Sequence, residues 1–238
     1  MMKKIIFFFS LIFTIIVQSG DLKSQTFKPG IFGGIVTSQV GGDGYAGFNK
    51  LGVTFGGFVR YSLNEQWSMQ FEIAYVQKGS RNSFSITTND ASQSSEFFLL
   101  RLNYIEIPLL FKFDHNNIIY EGGLYYGQLA SAYMEFRNDN GSGKVYRSLD
   151  EMNAIFDKDL KNYDFGIIIG VGYKITDNIL GSVRFSNSLI AIKEFESGKV
   201  DTYPTSFRIG LTNTVVLGTI RFTFGEGDEL HKIIQKAE

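Results

Sequence analysis

The chain has 238 residues and no cysteine, which excludes a disulfide framework, a thiolate metal site, a cysteine nucleophile and a lipid-anchored lipoprotein. Its formal charge of −1 is too near neutral to indicate a nucleic-acid partner. With 26 Gly, 23 Phe and 12 Tyr against 3 Pro, the composition favours strands and tight turns over helices.

Residues 1–24 read as a secretory signal peptide. Lys3 and Lys4 supply the positive start, Ile5 to Val17 the apolar core, and Ser19, Gly20 and Ser24 the small residues of a cleavage region. The core falls short of the roughly 20 residues a spanning helix needs, so removal is expected rather than retention as an anchor. Cleavage after Ser24 is preferred, and after Gly20 is the alternative. Residues 25–238 then carry 20 Lys and Arg against 23 Asp and Glu, a formal charge of −3.

Period-2 alternation dominates the rest, in eight segments at 26–40, 51–62, 67–79, 98–113, 118–134, 163–175, 179–190 and 205–224. In LGVTFGGFVRYS, Leu51, Val53, Phe55, Val59 and Tyr61 oppose Gly52, Thr54, Gly56 and Arg60. In WSMQFEIAYVQKG, Trp67, Met69, Phe71, Ile73 and Tyr75 oppose Ser68, Gln70, Glu72, Ala74 and Val76. In YDFGIIIGVGYKI, the odd positions from Tyr163 to Ile175 are apolar, opposite Asp164, Gly166, Gly170, Gly172 and Lys174.

The fourth segment is less regular. From Ile105 to Phe113 the odd positions are apolar, while Glu106, Pro108, Leu110 and Lys112 lie between them. Upstream, the apolar residues are the even ones, Phe98, Leu100 and Leu102, alternating with Arg101 and Asn103. The phase is expected to flip near Tyr104, through a β-bulge in this strand, with Pro108 tolerating an irregular ladder. The alternative is that 97–103 projects above the membrane.

The connections alternate strictly. LNEQ (63–66), DHNN (114–117) and TDN (176–178) are short; 41–50, 80–96, 135–162 and 191–204 are long and polar. That is the layout of an eight-stranded antiparallel up-and-down transmembrane β-barrel, with short periplasmic turns and long extracellular loops. A soluble sandwich or lipocalin-like barrel also alternates, but its water-facing side would be dense in charge. Here that side is mostly Gly and Ser, which suits a crowded barrel interior. Tyr61, Trp67, Phe113, Tyr120, Tyr173, Phe222 and Phe224, on the other side beside the short turns, suit an interfacial girdle. Residues 25–224 are therefore expected to form a barrel in the bacterial outer membrane, facing lipid.

The inward charges form the expected lumen network: Arg60, Glu72, Glu106, Lys112, Glu121, Lys174, Arg184 and Arg221. Unpaired charge in a narrow barrel is costly, so mutual pairing is expected. A salt-bridged plug is preferred to a selectivity or gating network, because eight-stranded barrels are filled rather than open.

Two segments outside the strands look helical. In SLDEMNAIFDKDLKN (148–162), Leu149, Met152, Ile155, Phe156 and Leu160 share a face and Ser148 with Glu151 fits a capping box. Packing on the barrel rim is preferred there to a lid or partner-binding helix. In the tail, 225–238, Leu230, Ile233, Ile234 and Ala237 fit either a short periplasmic helix or a frayed end. The preceding TIRFTF resembles the C-terminal strand by which outer-membrane barrels are delivered to their insertion machinery.

Nothing points to an enzyme. His115 and His231 form neither a metal spacing nor a triad, and GVG at 170–172 lies inside a strand instead of opening a helix. No catalytic, cofactor-binding or metal-binding residue is expected, and Glu106 with Glu121 is better explained by ion pairing than by acid–base work.

QTFKPGIFGGIVTSQVGGDGYAGFNKLG, WSMQFEIAYVQKGS, LRLNYIEIPLLFKF, EGGLYYGQL and YDFGIIIGVGYKI together resemble the Bacteroidota outer-membrane β-barrel proteins called porin-family or PorT-family, with Y-x-E-I-P-L-L the most specific part. The resemblance implies an eight-stranded outer-membrane barrel and no single activity, although PorT itself is tied to type IX secretion. Three roles follow: a barrel whose loops meet extracellular partners, a narrow solute channel, or an accessory of secretion or envelope assembly.

Overall fold

The computed structural model describes residues 27–42, 47–82, 97–137, 143–155, 159–194 and 210–224. Long strands dominate: β1 (Phe27–Gly41), β2 (Lys50–Ser62), β3 (Trp67–Arg81), β4 (Phe97–His115), β5 (Ile118–Arg137), β7 (Tyr163–Lys174), β8 (Ile179–Ser188) and β10 (Gly210–Thr223). Each pairs antiparallel with its neighbour, and β1 pairs with β10 from Gly30↔Thr223 to Gly41↔Thr212. That last pairing closes eight strands into a ring, leaving no edge. Two short strands, β6 (Gly143–Tyr146) on β5 and β9 (Lys193–Glu194) on β10, extend the wall within the long polar connections 135–162 and 191–204. The signal segment, the first residues of the last predicted segment (205–209) and the tail with His231 lie outside the described residues.

Facing follows the alternation. Phe71, Ile73, Leu109, Phe111, Ile167, Ile169, Val183 and Ile220 are exposed on the outer wall, while the residues between them are buried. Trp67, Tyr120, Tyr173, Phe222 and Phe224 are exposed near the short turns, and the Trp67 ring lies tilted against Phe113, centroids 4.9 Å apart. The β4–β5 turn is two residues, Asn116 and Asn117, because His115 pairs with Ile118. Asn116 has φ 56°, a left-handed value that Asn tolerates and primed hairpin turns require.

Strand β4 departs from expectation. Its even positions stay inward along the whole strand, from Phe98 to Lys112, so the facing does not flip at Tyr104. What inverts is the polarity. Below Tyr104 the outer face is apolar and the inner one holds Glu106 and Lys112; above it, Phe98, Leu100, Leu102 and Tyr104 form an apolar interior and Arg101 and Asn103 face out. That inversion is what a strand shows where it passes from lipid into water, and it agrees with the alternative the sequence left open, that 97–103 projects above the membrane. A register shift does occur at this level, between Asn103↔Ser131 and Tyr104↔Leu129, but the extra residue is Ala130 on β5. At Pro108, which has no N–H to give, pairing with β3 lapses between Phe71↔Leu109 and Ala74↔Glu106.

The interior is layered. Phe32, Val36, Phe58, Ala74, Val76, Val215 and Leu217 pack together in the middle of the barrel. Nearer the extracellular mouth a second cluster gathers Val40, Leu100, Leu102, Met134 and Leu211 with Met152, Leu160 and Ile192 from the loops. Met152 comes from a single turn, α1 (Leu149–Asn153), capped by Ser148 Oγ, which accepts from the Glu151 amide at 3.1 Å. Glu151 in turn accepts from the Arg147 amide at 2.7 Å, one residue earlier than a standard capping box. The segment packs on the rim; Phe156 lies outside the described residues. Backbone bonds from Leu129 to Asn162 (2.8 Å) and from Lys161 to Ile192 (2.7 Å) hold these loops in place.

A charged plug across the barrel as the candidate functional site

Five of the eight predicted lumen residues converge. Arg184 on β8 donates from Nη1 and Nη2 to the two Glu72 oxygens of β3, both at 2.8 Å, and from Nε and Nη2 to the two Glu121 oxygens of β5 at 2.5 and 3.0 Å. Arg221 on β10 donates to Glu72 at 2.7 Å and lies 4.6 Å from the Phe32 ring. Lys112 on β4 pairs with Glu121 at 3.1 Å. All five residues are buried. Local sequence accounts for the fit: Gly170, beside Arg184 and Glu121, leaves the space that a Cβ would take from both.

Glu106 belongs to another layer, toward the extracellular side. It pairs at 2.5 Å with Lys78, which also reaches Asp164 at 3.2 Å and sits 4.3 Å from the Tyr125 ring. The Tyr125 hydroxyl and the Asn213 amide both donate to Asp164, at 3.0 Å each. Sequence reasoning left Lys78 and Asp164 out of the network. The signal was present, since both occupy even positions of their strands, continuing the inward face that holds Glu72 on β3 and Gly166 on β7.

Arg60 and Lys174 stand apart at the periplasmic mouth, half-buried, where both pair with Asp114: Arg60 through Nη2, Lys174 at 3.1 Å. Arg60 also donates to Ser68 at 2.9 Å.

Charge is nearly balanced layer by layer. Lys112, Arg184 and Arg221 outnumber Glu72 and Glu121 by one in the lower layer; Glu106 and Asp164 outnumber Lys78 by one in the upper. Between them, a cavity lined by Glu72, Glu106, Pro108, Ile168 and Arg184 measures about 10 Å³, room for one water at most. Among the described residues no cluster of His, Asp and Glu could hold a metal ion.

A closed antiparallel ring with an apolar outer belt, an aromatic girdle and an interior filled by paired charges is a transmembrane β-barrel. The chain belongs to the family of outer-membrane proteins with a β-barrel domain, whose model matches residues 20–194. It is a bacterial outer-membrane protein. Among solved structures it is similar to the attachment invasion locus protein Ail of Yersinia pestis, at 16% identity over 83% of this chain and 98% of that one, TM-score 0.45. It is also similar to Neisserial surface protein A, at 14% identity over 83% and 97%, TM-score 0.42. A third is the N-terminal barrel domain of Pseudomonas aeruginosa OprF, at 9% identity over 84% and 100%, TM-score 0.35. No curated protein matches the sequence.

Proposed function

We propose that the chain is a closed, non-conducting barrel without catalytic activity, whose extracellular wall and loops make surface contacts. The observation that carries this is Arg184, which ties Glu72 and Glu121 together across the lumen. Strands β3 and β8 are four places apart in a ring of eight, so the bridge spans the full diameter. The apolar layer capped by Met152, Leu160 and Ile192 adds a second barrier. A solute would have to break both, and removing one partner of a buried ion pair costs about 3–5 kcal/mol.

Residues 1–24 are the segment proposed to direct export, and the outward Ile220, Phe222 and Phe224 of the last strand the surface offered to insertion machinery. The Tyr104-x-Glu106-Ile107-Pro108-Leu109-Leu110 core supports placement among the Bacteroidota porin-family and PorT-family barrels. Within that placement a secretion-accessory role ranks second.

Planar-bilayer recording on the refolded protein is the test. The expected trace is flat, with no stable openings. Stepwise openings whose amplitude changes in an Arg184→Ala variant would replace this reading with a narrow channel.

A further inference from the structure

Thr54 lies on the inner face of β2, 2% exposed, and its Oγ1 has no hydrogen-bond partner among the described residues. Burying a hydroxyl without a partner is costly, so such groups in folded proteins bond to protein or to ordered water. Thr54 lines the small cavity between the two charged layers, together with Glu72, Glu106 and Arg184. Every residue lining that cavity belongs to one of the eight wall strands, so no loop reaches it.

Local sequence makes the space. Thr54 pairs with Val76 and Glu106 with Ala74, so only the short inner face of β3 at Ala74 and Val76 stands between the two polar side chains. The next inward residue of β4 is Pro108, where the pairing with β3 lapses. The cavity of about 10 Å³ is close to one probe sphere, enough for a single water that finds two or more polar partners. Thr54 Oγ1 is one of them. Glu106 is the second: it pairs with Lys78 at 2.5 Å, and an ionised carboxylate offers about four acceptor sites, so capacity is left over. A cation fits poorly. Arg184 lines the cavity, and across both layers Glu72, Glu106, Glu121 and Asp164 already balance Lys78, Lys112, Arg184 and Arg221.

We infer that the cavity is a binding site for one water molecule, which donates to Glu106 and hydrogen-bonds to Thr54 Oγ1. Neither charged layer includes a residue of β1 or β2. The water therefore brings β2 into the polar network and ties it to β4 across the intervening β3. The inference is independent of whether the barrel conducts, so flat or stepped bilayer recordings leave it untouched.

One test is the sign of a single substitution. Thr54→Val keeps the shape of the side chain and removes its oxygen. If the hydroxyl were buried with no partner at all, its removal would relieve a penalty and raise the urea midpoint of the refolded protein in lipid vesicles. With the water in place, the variant strands or expels it, and the midpoint is expected to fall. An unchanged or raised midpoint overturns the proposal. Diffraction from crystals of the refolded protein gives the second readout. A single peak is expected about 2.5–3.0 Å from Thr54 Oγ1 and from a Glu106 oxygen, present in the wild-type protein and in Thr54→Ser, absent from Thr54→Val. An empty wild-type cavity overturns the proposal. So does anomalous scattering at the site after a rubidium chloride soak, because the occupant would then be a cation.

Discussion

Arg184 and Glu72 approach from opposite sides of the barrel and meet through two hydrogen bonds of 2.8 Å. Neither has an apolar substitute nearby to absorb its loss. Glu72→Gln would leave Arg184 and Arg221 sharing a neutral amide in a dry interior. The expected cost is about 3–5 kcal/mol, read as a lower urea midpoint in lipid vesicles. The double variant Glu72→Leu/Arg184→Leu is expected to cost less than the sum of its two singles, because it removes both charges of the cross-barrel pair at once.

Two inner glycines sit under aromatic rings from the paired strand: Gly30 under Phe58 and Gly166 under Tyr125. A side chain at Gly166 would collide with the Tyr125 ring and dislodge its hydroxyl from Asp164. Gly166→Val is therefore expected to destabilise by about 1–3 kcal/mol, as overpacking does. Gly218 and Gly122 are the contrast. A Cβ on either meets ordinary contacts, 3.8 Å from Ile35 and from the Ile168 carbonyl, so Gly218→Ala and Gly122→Ala should leave the midpoint unchanged. Equal losses at inner and outer glycines would contradict the assigned facing.

Much of this was legible because strand parity is unforgiving: a one-residue slip would expose Glu72 or Arg184 to hydrocarbon. The alternation and the unequal loops were enough to specify the ring. They did not specify which way a residue points where the environment changes. Leu100 and Leu102 look like Leu109 in sequence, yet the first two face inward under water and the last faces outward into lipid. Polarity patterns report contrast between faces, so the exit from the membrane imitated a bulge. The division of the charges into layers was equally hidden. It depends on which of eight strands face each other across the lumen, and Lys78 meets Asp164 across 86 residues of sequence.

The exit point can be measured directly. Nitroxides at Ile105 and Arg101 share one face of β4, four residues apart. The label at Ile105, like those at Phe71 and Ile169, is expected to be relaxed by oxygen dissolved in lipid, and the label at Arg101 by an aqueous nickel chelate. Ile169→Arg should cost about 2–4 kcal/mol, as expected near the bilayer centre, whereas Gln77→Arg should cost about 0–1 near the interface. If the Arg101 label behaved as lipid-buried, the polarity inversion on β4 would have to be abandoned.

Lys50, the first residue of β2, supplies a pH signature at the extracellular end of the barrel. Lys50 is itself buried, its ammonium donating to the Leu51 carbonyl and to Gln77, and burial with the positive charges of Arg101 and Arg81 lowers its proton affinity to about 8. An unfolded chain holds that proton up to the ordinary lysine value of 10.5, so from about 8 to 10.5 it binds more protons than the folded barrel. Stability contributed by this group therefore rises with pH across that window, and is absent below it. Reductively methylated Lys50, followed by its carbon-13 shift, should titrate near 8 in the wild-type protein. Arg101→Gln should move the midpoint upward, because it removes a like charge and leaves most of the burial in place. A midpoint near 10.5 in the wild-type barrel would mean that the three cations do not sense one another.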